Sequence, residues 1–192
     1  KKQLLCSLLF TSLALFIPAN TLVAKNVCDT IALKHDSLTV GNPILPGFHA
    51  DPEILYSNKT GKYYIYSTTD GIPGWGGYKY YVYSSADLKT WKNEGVALDA
   101  STDQISWANG NLWAPAAVEV KQKNGSYKYY LYFSARPNDN GRKQMGVAVS
   151  DSPTGPFVDL GKPLLAKNHP GCHGQLIDVD VFIDPVSNKP YL

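Results

Sequence analysis

Three segments of this chain open in the same way: at Asp51, at Ala114 63 residues on, and at Asp178 a further 64 residues on. The first reads as a strand over residues 51–56, a turn over 57–62, and the aromatic strand Tyr63-Tyr64-Ile65-Tyr66-Ser67-Thr68. A glycine-rich loop over 70–77 leads to a third strand over 79–84, and Ser85-Ala86-Asp87-Leu88 turns the chain into a fourth around Trp91 that closes near Val96. The second segment repeats this with strands over 113–120, 127–134 and 145–150, an Asn124-Gly125 turn, and a Pro- and Gly-rich turn over 151–157 into its fourth strand. The third begins with a strand over 177–184, turns at Pro185-Val186-Ser187-Asn188 and resumes over 189–192. Four short antiparallel strands joined by tight turns make a meander. A meander repeated at a fixed period is the signature of a β-propeller blade, which cannot bury both faces alone and so needs neighbours.

The expectation is an all-β propeller of which this chain holds about two and a half blades. A β-sandwich with coincidental periodicity is the alternative, because sandwiches also show short strands at regular spacing. Composition fits either: 13 Tyr, 6 Phe and 4 Trp suit pleated, half-buried surfaces, while 16 Gly and 13 Pro punctuate turns. The chain starts at Lys1 without an initiator Met and stops at Pro190-Tyr191-Leu192, within what reads as a strand pair. A propeller needs at least about four blades, so the expectation is a fragment of a longer protein.

Residues 1–24 read as a signal peptide. Lys1 and Lys2 form a basic start, and the uncharged apolar run over 4–17 is too short for a comfortable membrane span. Cleavage after Ala24, or after Ala19, leaves a protein exported to the periplasm or the extracellular space, with no membrane attachment. Residues 25–46 form a polar lead-in, and 47–192 the N-terminal part of the propeller. Removing the leader takes away two Lys and no acid, leaving 16 basic against 16 acidic residues. A neutral chain offers no electrostatic case for nucleic acid or an anionic membrane. Cys28 and Cys172 remain, and an oxidising compartment permits a disulfide between them, though spacing alone does not decide whether they meet.

In a propeller the first strand of each blade lines the central axis, so Asp51, Ala114 and Asp178 converge at one end of the channel. Gly47-Phe48-His49-Ala50-Asp51-Pro52-Glu53 puts a carboxylate at the first of these strand heads, and Pro52 is expected to hold Asp51 extended. An Asp-Pro pair alone is ordinary strand punctuation. Two carboxylates facing one channel can do acid and base work that an isolated acid cannot.

Three motifs in order resemble the family 43 glycoside hydrolases: Gly47-Phe48-His49-Ala50-Asp51-Pro52, Trp113-Ala114-Pro115, and Ile177-Asp178-Val179-Asp180-Val181-Phe182-Ile183-Asp184. The resemblance covers about residues 42–192. It implies a five-bladed β-propeller that releases sugars from plant polysaccharides, as β-xylosidases, α-L-arabinofuranosidases and arabinanases do. By position it makes Asp51 the general base that activates water for inverting attack at the anomeric carbon. Asp178 becomes the carboxylate that raises and orients the general acid. That acid, a Glu in a later blade of the family, has no convincing counterpart in Glu53, Glu94 or Glu119 and is expected beyond Leu192. The chain departs from many relatives at Ala116, where they carry an acidic residue, which weakens any finer assignment within the family.

Alternation along a strand would set Asp178 and Asp180 on one face, so the residues themselves leave them nearly equal, and the resemblance selects Asp178. Asp180 and Asp184 are also readable as turn residues or calcium ligands, but no cofactor is implied and a structural calcium ion is not indicated. Phe48, Trp75 and Trp113 are the candidate stacking surfaces for sugar, with His49 a candidate donor to a sugar hydroxyl or a turn-holding residue. Trp107 is divided between sugar contact and core, and Trp91 is assigned to core. The partner is an oligo- or polysaccharide. Two other functions remain: a retaining fructan-type hydrolase, whose Trp-x-Asn-Asp-Pro-Asn-type motif is absent here, and a non-catalytic sugar-binding propeller. The isolated 192-residue chain is expected to be inactive and poorly folded.

Overall fold

The computed structural model describes residues 41–192, so the leader over 1–24, and Cys28 as a partner for Cys172, fall outside the described residues. Two four-stranded antiparallel meanders follow one another. The first runs β1 (His49–Ser57), β2 (Lys62–Thr69), β3 (Lys79–Ser85) and β4 (Lys92–Asp99), and the second β5 (Trp113–Lys121), β6 (Tyr127–Ala135), β7 (Gln144–Ser150) and β8 (Val158–Asp159). A third hairpin pairs β9 (Phe182–Ile183) with β10 (Pro190–Tyr191). The only helical element among the described residues is one 3-10 turn, Pro73–Trp75. The described residues are thus all-β, with two complete blades and the opening hairpin of another.

The repeat extends to the backbone. In β1, Ala50 pairs with Thr68 and Glu53 with Tyr66, so Asp51 and Pro52 together face Ser67 alone. In β5, Trp113 pairs with Ser134 and Ala116 with Tyr132, so Ala114 and Pro115 face Phe133 alone. Two residues against one is a β-bulge, which bends the strand and re-aims its side chains. Asp51 and Ala114 take up the bulge with φ of 46° and 43°, and Asp178, at the matching place in the third repeat, has φ of 60°.

Asp51 is therefore not extended, contrary to the expectation from Pro52. A following proline disfavours the right-handed helical region, but the bulge needs a left-handed residue, and Asp tolerates that conformation better than most. The third repeat also differs from the sequence reading. Its strand pairing is confined to Phe182 and Ile183, and Asp178 turns left-handed four residues before it. The strand expected over 177–184 is interrupted there, so simple alternation does not place Asp178 and Asp180 on one face.

The core lies between the two blades. Leu55, Tyr66, Tyr80, Val82 and Leu98 from the first meet Leu131, Phe133, Ala148 and Phe157 from the second, with Ile105 and Leu112 of the connecting segment closing one edge. Full burial of one such side chain contributes about 1.5–3 kcal/mol. Strand alternation explains which face is used: Leu55 and Ser57 turn inward to the second blade, while Ile54 and Tyr56 stay 53% and 48% exposed on the far face. Trp107 stacks on Phe133 with ring centroids 6.0 Å apart, which places it in the core, and its Nε1–H points to Asp159. Trp91 is half-buried just ahead of β4.

Candidate active site

The bulged heads of β1 and β5 share one hydrogen-bond partner, Thr68. Asp51 leaves its carboxylate exposed, and Oδ2 accepts the hydroxyl of Thr68 at 3.3 Å. The same Thr68 oxygen accepts the backbone N–H of Ala114 at 2.9 Å, so one buried hydroxyl joins two strand heads. Behind them the Tyr80 hydroxyl donates to the Trp113 carbonyl at 2.9 Å. Burial, reinforced by the charge of Asp51, pushes the Tyr80 pKa up, so this phenol stays a donor at any ordinary pH. Neither Thr68 nor Tyr80 stands out in the sequence, because each works through tertiary contacts.

Glu53, the next acid along β1, is half-buried. Burial and the nearby charge of Asp180 push its pKa up, and the Ala117 amide works the other way. Glu53 and Asp180, from different repeats, are thus near enough for their charges to repel. Asp180 Oδ1 accepts the N–H of Val181 at 2.7 Å, while Asp178 is exposed. Asp184 caps the β9–β10 turn, accepting from Val186 N–H at 2.9 Å and from the Ser187 hydroxyl at 2.6 Å. That turn role removes it from consideration as a reacting group. Among the described residues no three His, Cys, Asp or Glu side chains gather as a cation site.

The aromatic candidates sort by exposure. Trp75 is 83% exposed at the tip of its loop, and its carbonyl accepts from Trp113 Nε1 at 2.9 Å and from Asn111 Nδ2 at 2.5 Å. Trp75 and Trp113 are therefore held side by side. One face of Trp113 is taken by the Lys143 ammonium, 3.5 Å from the ring centroid, a cation–π contact. Burial, and beside it the charge of Arg136, push the Lys143 pKa down. Phe48 is 65% exposed and lies against Gly71. His49 has both ring nitrogens engaged: Nε2 donates to the Pro46 carbonyl at 2.9 Å, which leaves Nδ1 to accept from the Ser67 hydroxyl at 2.9 Å. Its ring also meets Tyr83 edge-on at 5.4 Å, so it fixes the lead-in segment to the first blade.

Repeated four-stranded blades with a bulge at the head of each first strand define a β-propeller architecture. The sequence profile of glycosyl hydrolases family 43 matches residues 40–192, and the chain belongs to that family. An arabinoxylan arabinofuranohydrolase of Bacillus subtilis is 34% identical over 162 residues, covering 70% of this chain and 29% of that protein. A xylosidase/arabinosidase of Bacteroides ovatus is 36% identical over 133 residues, covering 63% of this chain and 38% of its own length. Among solved structures, a family 43 β-xylosidase/α-arabinofuranosidase from a compost microbial metagenome, in complex with xylotriose, superposes with a TM-score of 0.61 at 34% identity. It covers 77% of this chain and 43% of its own. An endo-arabinase of Bacteroides thetaiotaomicron gives a TM-score of 0.54 at 32% identity, over 73% of this chain and 42% of its own. The chain spans less than half the length of each of these relatives.

Proposed function

We propose that this chain supplies the water-activating side of an inverting glycoside hydrolase that acts on arabinose- or xylose-bearing plant polysaccharides. The observation that carries the reading is Asp51: an exposed carboxylate, on a bulged strand head, tied through Thr68 to the head of the next blade. Asp51 is the general base. It takes a proton from water as the water oxygen attacks the anomeric carbon, and the C–O bond to the leaving group breaks on the opposite face of the sugar. The leaving oxygen receives its proton from a general acid, a Glu beyond Leu192. Asp178 is the ionised neighbour that keeps that acid protonated near neutrality by like-charge repulsion and holds its orientation.

Glu53 does not take the acid's part, because it lies beside Asp51 on the same strand, whereas acid and base must flank the bond from opposite sides. Relatives named arabinoxylan arabinofuranohydrolase, xylosidase/arabinosidase and endo-arabinase support the substrate class. Trp75 and Trp113 provide flat surfaces for the sugar, and Phe48 extends them. The basic, apolar leader over 1–24 supports export, which fits substrates too large to enter a cell. The 192-residue chain alone is inactive, since it holds one side of the catalytic pair.

The test uses the full-length protein with aryl arabinofuranosides and xylosides, following the first-formed anomer by proton NMR. Inversion with the native protein and loss of hydrolysis in a folded Asp51→Asn variant are expected. A retained anomer, or a fully active variant, would overturn the mechanism.

A further inference from the structure

We propose that Thr68 is the positioning residue for Asp51, setting its carboxylate in register with the head of the neighbouring blade. This rests on the reading of Asp51 as the base. Thr68 lies on β2 opposite Ala50, at the edge of the bulge, and is 3% exposed. A hydroxyl has a single hydrogen. Because the Thr68 oxygen accepts from Ala114 N–H at 2.9 Å, its own hydrogen is free to point at Asp51 Oδ2, 3.3 Å away. The direction of that hydrogen is set by the backbone of the second blade, and Thr is itself stiff at χ1.

Among the described residues Thr68 is the sole donor to the Asp51 carboxylate. The 3.3 Å separation exceeds the 2.7–2.8 Å usual for such a bond, and bonds of this kind tighten when substrate binds. The same place in the second blade, opposite Trp113, is held by Ser134, another hydroxyl that is 0% exposed and without a partner among the described residues. The repeat thus sets a buried hydroxyl behind each of the first two strand heads. Only the first of those heads carries a carboxylate for it to hold, since the second is Ala114.

The full-length protein provides the test, on whichever aryl arabinofuranoside or xyloside it cleaves. Thr68→Val keeps the side-chain shape but removes both donor and acceptor. Its kcat is expected to fall about 10- to 100-fold with KM within about twofold, and Thr68→Ser to restore at least about half of native kcat. A folded Thr68→Val protein with native kcat overturns the proposal, as does an unrescued Thr68→Ser. If Thr68→Val does not melt cooperatively, Thr68→Ala, which adds no bulk, carries the same expectation. Failure of both to fold overturns a positioning role in favour of a purely structural one. Asp51→Asn is measured alongside. If it is active, the base itself is wrongly assigned; if it is inactive beside a fully active Thr68→Val, only the positioning role is lost.

Discussion

Ser57, at the end of the first inner strand, donates its hydroxyl to the carboxylate of Glu119 in the second blade, across 62 residues of chain. Tyr129 OH joins the same oxygen at 2.8 Å, and the backbone N–H groups of Asn58 and Lys59 reach the carboxylate at 2.9 Å and 3.4 Å. Ser57 and Tyr129 are 0% and 1% exposed, so the two blades are latched at the end of β1 opposite to Asp51. Burial pushes the Glu119 pKa up, but the four donors outweigh it and hold the carboxyl below the ordinary Glu value.

Glu119→Ala is expected to destabilise the protein by roughly 2–3 kcal/mol, because it leaves the buried Ser57 and Tyr129 hydroxyls only each other as partners and removes charge-assisted bonds. Urea denaturation of the native and variant proteins checks this. A loss of unfolding free energy less than a quarter of that size would show that solvent replaces the carboxylate without loss.

The same latch gives a pH dependence with a definite sign. With the folded pKa depressed, the unfolded chain binds the extra proton first, so the latch contributes fully above the ordinary Glu value of 4.5. Its contribution is lost as the pH falls through the lower folded value. The stability gap between native protein and Glu119→Gln should therefore be widest above about pH 5 and narrow below it. Denaturation midpoints across the acid range provide the measurement, and a gap that widened toward acid would contradict the assignment.

Gly146 lies where a Cβ would come within 2.4 Å of Phe133 and 2.7 Å of Trp107, the stacked pair that closes the inter-blade core. Neither ring can swing away without breaking the stack. Gly146→Ala is expected to cost about 1–3 kcal/mol by overpacking and to shift Trp107 emission to the red. Thermal melts and fluorescence decide it, an unchanged melting temperature being the adverse result.

The blades were legible in the sequence because aromatic strands, turn residues and a proline after each of the first two strand heads recur at a near-constant period. The bulges were not, since a bulge exists only relative to a partner strand. A local rule applied to Asp51-Pro52 pointed to extended backbone, where pairing with β2 imposed φ of 46°. Thr68 and Glu119 were unreadable for the same reason, because their partners lie 46 and 62 residues away. Trp107 was divided between sugar contact and core, and the glycine facing it at position 146 settled it as core. The local pattern of Ile177–Asp184 overstated strand there, because alternating acids and β-branched residues do not reveal that Asp178 turns left-handed.

Trp75 and Trp113 should separate binding from stability. Trp75 is 83% exposed and uses only its backbone carbonyl in the fold, so Trp75→Ala removes little packing. Its melting behaviour should stay native while KM rises about 5- to 10-fold at little cost in kcat, the loss expected for one aromatic surface. Trp113 instead donates to that carbonyl through Nε1 and carries the Lys143 ammonium on one face. Trp113→Ala should therefore raise KM and also destabilise by about 1–2 kcal/mol. Trp113→Phe keeps a ring under Lys143 and should recover part of the stability without the bond to Trp75. Steady-state kinetics and thermal melts on the three variants make the comparison. A native KM in Trp75→Ala would remove that ring from the sugar site, because no loss of packing could mask its effect.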